Sequence, residues 1–370
     1  QETLATGEII QICMPTPWNG SLILYAHGYV SAFEPLRLPI EANQYATLYT
    51  SLGFAFATSS LRENGLAIQT GIDDMLNLRK RFVKQHGEPQ YTYLTGGSQG
   101  GIITTLAVER YSKLLSGGLS LCGPCGDFQR QVNYYGDFRV LFDYYFPNVL
   151  PGDAVNIPDE LIQNWDPKYV LAVVQALNAN PVATSKLLSV AQAPYVPTFP
   201  ATIAQTVLGV LWYDVFTTRD AVRKLGGQPF DNTKKVYSGT GSPAEDALLN
   251  AQVQRFAADP KAAKNIAKYY QTSGNLAIPL VTGHTTGDPI QLYWHLDLYL
   301  QKVLNQDRGR LFTDYRVNRY GHCTFTQAEI AVAFNILVQK VTGQPLPLVG
   351  QLVAQADPGT GLIVTRATQK

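Results

Sequence analysis

Charge is scarce in this 370-residue sequence: formally charged side chains make up only 15%, against roughly 25% in an average soluble domain. Lysine and arginine number 29 together and nearly cancel 28 aspartates and glutamates, leaving a formal charge of +1. That balance offers no electrostatic case for nucleic acid or an anionic membrane as partner. No apolar run reaches the roughly 18 residues needed to cross a bilayer, so no membrane span is expected. Cysteine is sparse too. Cys13, Cys122, Cys125 and Cys323 are too few for a disulfide scaffold but enough for one or two bridges in an oxidising compartment. Neither they nor the five histidines have the spacing of a zinc site, and no metal or organic cofactor is expected. No internal repeat is visible.

What is present is length, tyrosine and glycine-rich corners. A chain of this size is either two modest domains or one core with a large insertion, and it is long enough to bury a substantial core. Tyrosine is plentiful at 21, and a surface that is polar without being charged fits a location outside the cell. The sequence starts at Gln1 without an initiator methionine, as a processed secretory precursor or a trimmed chain would. A secreted or periplasmic protein is therefore expected. Asn19-Gly20-Ser21 reads either as a glycosylation sequon or as a tight turn; the turn is preferred, closing a hairpin between strands at Glu8 to Met14 and Ser21 to Ala26.

The stretch Tyr93-Leu94-Thr95-Gly96-Gly97-Ser98-Gln99-Gly100-Gly101 is the most informative one. A β-prone run, Tyr91 to Thr95, meets a G-x-S-x-G pentapeptide and then a helix-compatible run, Ile102 to Tyr111. Strand, glycine corner and helix together make the nucleophile elbow of an α/β-hydrolase. The glycines let the helix pack close to the strand. The corner lifts the serine hydroxyl above the sheet edge, with the first helical N–H groups directed at what it attacks. The bland alternative is a glycine-rich turn holding an incidental serine.

Around this corner, strands and helices alternate. Pro39 to Leu52 looks helical, Phe54 to Ser59 is a short strand, Ile68 to Gln85 has helical apolar spacing and stops at Gly87, and Gly117 to Cys122 is a strand. Such alternation implies crossover units and a parallel sheet. From Asp127 to about Gly274 strand signal nearly vanishes, and Gln129 to Phe146 is dense in aromatics. This is read as a helical cap, whose aromatic stripe serves packing first and could line an apolar cleft. The core rhythm resumes with a strand at Ile278 to Gly283, the His284 to Pro289 loop, a helix at Ile290 to Leu304, a strand at Leu311 to Val317, the Arg319 to Cys323 loop and a Thr-capped helix, Thr326 to Val341. The tail from Gly343, rich in proline and glycine, yields no element. The expected division is a core of 1–125 and 275–370 with a helical cap or lid at 126–274.

A serine hydroxyl needs a base, an acid to hold that base, and oxyanion donors. His322 follows the last core strand in a glycine-containing loop and is the expected base. His86 ends a helix at the surface, His295 lies within an amphipathic helix, and His284 precedes the acid candidate. Asp288, in Thr286-Gly287-Asp288-Pro289, is the expected acid, although an aspartate before proline is also a common turn residue; Asp314, inside a strand, suits the role less. His27-Gly28-Tyr29 ends a strand ahead of the elbow. It resembles the oxyanion loop of α/β-hydrolases, which implies the Tyr29 and Gln99 amides as donors and leaves His27 to shape the loop.

These four features, in this order, resemble the α/β-hydrolase superfamily over Thr3 to Cys125 and Ala277 to Val341. The resemblance implies a mostly parallel sheet with a catalytic set of Ser98, His322 and Asp288. Gly321-His322-Cys323 is further similar to the histidine–cysteine step of tannase and fungal feruloyl-esterase proteins. In that family a second cysteine directly precedes the nucleophile and the two are bridged; here position 97 is glycine. A bridge from Cys323 to Cys122 or Cys125 is expected instead, with Cys125 preferred, against the alternative of free buried thiols. The expected activity is that of a secreted serine esterase acting on small or polymeric esters with bulky or aromatic groups. The alternatives are a prolyl-oligopeptidase-like or small-peptide serine peptidase and a non-catalytic binding module on the same fold.

Overall fold

The computed structural model describes residues 1–346 and the strand Ile363–Arg366. The chain divides into two compact units, one of Gln1–Asp127 with Tyr270–Lys370 and one of Phe128–Tyr269. Positions 347–362 and 367–370 of the expected core segment lie outside the described residues.

The first unit is a nine-stranded sheet. Its strands are β1 (Glu2–Thr3), β2 (Ile9–Cys13), β3 (Ser21–Ala26), β4 (Ala55–Ser59), β5 (Tyr91–Gly97), β6 (Gly117–Leu121), β7 (Leu280–Gly287), β8 (Phe312–Tyr320) and β9 (Ile363–Arg366). They lie in the order β1-β2-β4-β3-β5-β6-β7-β8-β9. From β4 to β8 every pairing is parallel, while β1, β2 and β9 join antiparallel at the edges. This is the α/β-hydrolase sheet. All residues of β3, β4 and β6 are buried, as parallel strands covered on both faces must be. The covering helices are α1 (Ala42–Ser51), α2 (Ile68–His86), α3 (Gln99–Arg110), α11 (Trp294–Asn305) and α12 (Gln327–Thr342), with α4 to α10 intervening in the second unit. Helix α2 ends where Gly87 takes φ +88, a conformation that costs glycine little. Helix α12 starts with a reciprocal capping box between Thr326 and Glu329. Its Phe334 packs edge-on against Tyr49, Phe54 and Tyr93, with ring centroids 5.0, 5.3 and 5.4 Å away, fastening α12 to one face of the sheet.

Three expectations need correction. Strands β2 and β3 are not a hairpin, because each pairs with β4 and lies on its opposite side. Asn19-Gly20 is still a turn: the Asn19 side chain accepts the Ser21 amide at 2.9 Å and Gly20 has φ +83. Second, β7 runs on to Gly287 and β8 to Tyr320, so His284 and Arg319 belong to strands and not to loops. Their polar residues pair strand to strand through His284↔Arg316 and Thr285↔Val317 before a register shift at Gly287. Backbone pairing outweighs side-chain polarity there. Third, the tail contributes the edge strand β9, antiparallel to β8.

The chain leaves and re-enters this unit through fixed points. His295 Nδ1 accepts the Gly126 amide at 3.1 Å, so this buried histidine is a structural acceptor. Glu109 accepts the Ser273 and Gly274 amides at 2.8 and 2.7 Å and the Tyr299 hydroxyl at 2.9 Å.

The second unit holds α4 (Phe128–Tyr145), α5 (Asp159–Gln163), α6 (Val170–Ala179), α7 (Pro181–Ala191), α8 (Ala201–Leu225), α9 (Pro243–Gln252) and α10 (Pro260–Asn265). Aromatic residues of α4 serve its packing. Phe138 and Phe142 are fully buried, and Tyr135 stacks on Tyr213 at 5.3 Å with the planes 9° apart. Arg139 is wholly buried; its Nε donates to both Asp143 oxygens at 2.9 Å and its Nη2 to the Pro151 carbonyl at 3.1 Å. Paired in this way, a buried guanidinium is tolerated.

Candidate active site

The residues expected for the catalytic set, the oxyanion loop and the bridge sit just beyond the carboxyl ends of strands, where parallel sheets present their ligand-facing loops. His27 and Gly28 follow β3, Ser98 follows β5, Cys122 follows β6, Asp288 follows β7 and His322 lies two residues past β8. The register sets these ends side by side through Ala26↔Gly96, Gly97↔Leu121, Leu121↔Gly283 and Gly287↔Tyr320.

At the elbow, Ser98 adopts φ 54, ψ −121, a region that costs a non-glycine residue of order 1–3 kcal/mol. The corner is over-determined by its neighbours. The Ser98 amide donates to the Leu121 carbonyl at 2.8 Å, and the Ser98 carbonyl accepts from Gly101 at 2.9 Å. A Cβ on Gly100 would collide with the Ala26 carbonyl, and one on Gly96 with the Gly100 carbonyl. Glycine is required at both places for α3 to cross the strand ends this closely.

His322 is half-buried and bridges the other two residues. Its Nδ1 lies 2.7 Å from Asp288 Oδ2 and its Nε2 lies 2.8 Å from Ser98 Oγ. A carboxylate can only accept, so Nδ1 carries the proton; in the neutral ring Nε2 then accepts from the serine hydroxyl. Asp288 is fully buried. Its other oxygen, Oδ1, accepts the Ile290 and Gln291 amides at 2.8 and 2.9 Å, which holds the carboxylate plane and satisfies its charge away from water. Asp314, the weaker acid candidate, is ion-paired with Arg316 in β8.

Four ties hold the loop that carries His322. Thr285 Oγ1 donates to the Gly321 carbonyl at 2.6 Å. Arg319 makes a bidentate pair with the buried Glu329 at 2.9 Å per contact. The capping box closes the loop's far end. The fourth tie is a disulfide between Cys122 and Cys323, with Cα atoms 5.5 Å apart. The expected Cys125–Cys323 bridge is therefore wrong. Cys122 stands directly after β6, its amide bonded to the Gly283 carbonyl at 2.6 Å. Cys125 is three residues further on, buried and free, and burial pushes its thiol up to about 12. A Cβ on Gly97 would lie 3.5 Å from Cys323 Sγ, so the position before the nucleophile also borders the bridge.

The loop after β3 completes the frame. His27 is buried and its Nδ1 is 2.6 Å from its neighbour's Gly28 carbonyl, a loop-shaping contact. A Cβ on Gly28 would stand 3.4 Å from Ser98 Cβ and 4.0 Å from Ser98 Oγ, so this loop passes directly over the serine. Gln99 opens α3, and its side chain accepts the Ala67 amide at 3.3 Å. His86 ends α2 at the surface, away from this set.

Sequence reasoning gave His284 no role. It is fully buried in β7, its Nε2 2.5 Å from the Gln291 carbonyl and 3.6 Å from Asp288 Oδ2. Burial holds this imidazole below the ordinary histidine value, and the Asp288 charge only partly opposes that. A signal was present in the sequence, since a histidine four residues before an acid at a strand end can reach back to it.

Among the described residues, Cys122, His322 and Cys323 group as potential metal ligands, with donor atoms within 4.8 Å. The two sulfurs are bonded to each other, and both ring nitrogens face Ser98 and Asp288. That set is occupied by its own contacts and does not suit an ion.

No curated protein matches the sequence. Among solved structures, feruloyl esterase B from Aspergillus oryzae is 14% identical, with 91% of this chain and 79% of that one covered and a TM-score of 0.48. Tannin acyl hydrolase from Aspergillus niger is 12% identical, covering 92% and 76%, with a TM-score of 0.46. An acylaminoacyl peptidase in complex with Z-Gly-Gly-Phe-chloromethyl ketone is 12% identical, covering 95% and 43%, with a TM-score of 0.47. This chain thus spans less than half the length of that peptidase. A family model described as a tannase-like family of unknown function (DUF6351) matches residues 7–199, which include the His27-Gly28 loop and the Ser98 elbow. With more than half of its 370 residues matched, the chain belongs to that tannase-like family, on an α/β-hydrolase fold.

Proposed function

We propose that this protein is a serine hydrolase that cleaves carboxylic esters through an acyl-enzyme. The observation that carries the proposal is the unbroken relay from Ser98 Oγ through both nitrogens of His322 to Asp288, at 2.8 and 2.7 Å. Ser98 Oγ attacks the acyl carbon while His322 Nε2 takes its proton. The resulting oxyanion is held by the Tyr29 and Gln99 amides, and Asp288 stabilises the imidazolium. On collapse, the C–O bond to the alcohol breaks and His322 returns the proton to that leaving oxygen. Water then attacks the acyl-serine with His322 again as base, releasing the acid and restoring the hydroxyl.

The tannase-like description of the family accords with esters. Esters with bulky or aromatic groups are inferred from the aromatic content of residues 126–274. We infer that the same segment serves as the lid. The disulfide accords with an oxidising, extracellular or periplasmic setting.

The test compares p-nitrophenyl acyl esters with amino-acid p-nitroanilides, for wild type and Ser98→Ala. Ester turnover is expected, with kcat lowered by several orders of magnitude in Ser98→Ala. Anilide turnover without ester turnover would favour a peptidase. No turnover of either, or turnover that survives Ser98→Ala, overturns the proposal.

A further inference from the structure

We propose that His284 is a positioning residue that latches the Asp288–Gln291 turn and so fixes the carboxylate presented to His322. This rests on the reading of Ser98, His322 and Asp288 as a catalytic set.

The geometry behind the acid forms a closed circuit. Asp288 Oδ1 is held by the Ile290 and Gln291 amides. The carbonyl of that same Gln291 lies 2.5 Å from His284 Nε2. A carbonyl can only accept, so Nε2 carries the proton and donates. His284 is anchored by strand pairing on β7, with Arg316 opposite it on β8. One imidazole therefore ties the far end of the turn back to the sheet, and the turn's amides orient the acid. The 3.6 Å from His284 Nε2 to Asp288 Oδ2 is too long for a hydrogen bond, so His284 leaves that oxygen to His322.

The surroundings keep the latch neutral. His284 faces Asp288, His322, the ring edge of Tyr293 (centroids 6.0 Å apart) and, further off, Asp297. Burial opposes its protonation. A charged His284 would set a second cation beside Oδ2 and compete with His322 for it. A neutral one holds the turn by hydrogen bonding alone.

The test uses His284→Phe, which keeps a flat ring but cannot donate, and His284→Gln, whose amide nitrogen can reach the Gln291 carbonyl. Two readouts are followed in each. The first is kcat and KM on a p-nitrophenyl ester. The second is the downfield proton NMR signal of His322 Nδ1–H, assigned by its loss in His322→Ala. Loss of the latch is expected to lower kcat on the order of 10- to 100-fold with KM nearly unchanged, and to shift or broaden the signal. His284→Gln is expected to restore both. If His284→Phe fails to fold, His284→Asn, whose shorter amide does not reach, takes its place. A His284→Phe or His284→Asn protein with wild-type kcat and an unmoved signal overturns the latch, as does a His284→Gln protein no better than His284→Phe. Should wild type turn over no ester, the signal alone decides: its persistence unmoved in His284→Phe overturns the latch, and its shift with restoration in His284→Gln supports it. The two readings therefore fail separately.

Discussion

Ser98 lies in a backbone region that side chains avoid, and the glycines around it fall into two kinds. Gly96 and Gly100 meet neighbouring backbone, so adding a methyl there should prevent folding. Gly28 differs: its Cβ would have ordinary contacts, yet it would sit 4.0 Å from Ser98 Oγ, beside the space where an oxyanion would form. Gly28→Ala should therefore leave the thermal midpoint nearly unchanged while lowering kcat/KM on the order of 100-fold. Calorimetry beside ester kinetics checks this, and equal losses in both would show that Gly28 is merely structural. Which residues would converge was legible in the sequence wherever a motif fixed their neighbours. Ser98 stands within G-x-S-x-G, and Asp288 and His322 stand in short loops after late strands, in the chain order of α/β-hydrolases. Which cysteine would meet Cys323 was not legible. Cys122 and Cys125 are three positions apart, and only the turn at Gly123 and Pro124, which carries Cys125 past the strand end and leaves Cys122 directly after β6, distinguishes them.

At the scale of elements, the His322 loop is the part most dependent on its ties. The Cys122–Cys323 bridge joins the ends of two strands 201 residues apart in sequence. Closing so long a loop stabilises by roughly 5 kcal/mol in a chain-entropy description. It also restrains the residue next to the proposed base. Cys122→Ser should lower the thermal midpoint by several degrees and reduce kcat on the order of 10-fold with little change in KM, through a less well-placed imidazole. A variant that loses stability at unchanged kcat would show that Arg319–Glu329 and the capping box suffice to place His322. The alternation of strand and helix was readable from apolar spacing because parallel strands are buried on both faces. Strand ends were not. His284 to Gly287 and Asn318 to Tyr320 are too polar to announce a strand, yet they pair across β7 and β8. Likewise the Asn19-Gly20 turn was plain, but its strands are parted by β4, a long-range pairing that no local pattern encodes.

At the scale of the molecule, two segments, one in each unit, should answer acid with opposite sign. In the helical unit burial raises Asp137 to about 6, although the Tyr237 hydroxyl donates to it at 2.7 Å. A carboxyl raised above its unfolded value contributes stability that is fully present below about 3.8 and lost as pH rises through about 6. In the sheet unit the depressed His284 contributes stability that is fully present above about 6.5 and lost as pH falls below it. Acidification from pH 7 to 5 should thus raise hydrogen-exchange protection around Phe128–Tyr145 and lower it around 284–291, after correction for intrinsic rates. Asp137→Asn should diminish the first change, the remainder coming from Asp143 in the same helix, which burial also raises to about 6. Protection moving the same way in both segments would contradict the assignment. The loss of strand signal after Asp127 announced a helical segment, but why that segment's acids are buried depends on packing that only the folded chain shows. The proposed chemistry depends on Ser98 being the nucleophile. The most direct measurement is reaction with an aryl alkylphosphonate ester followed by intact-mass and peptide mapping. One phosphonyl group on Ser98, with none taken up by Ser98→Ala or His322→Ala, is the predicted result; labelling on another residue, or unaltered labelling in Ser98→Ala, would contradict it.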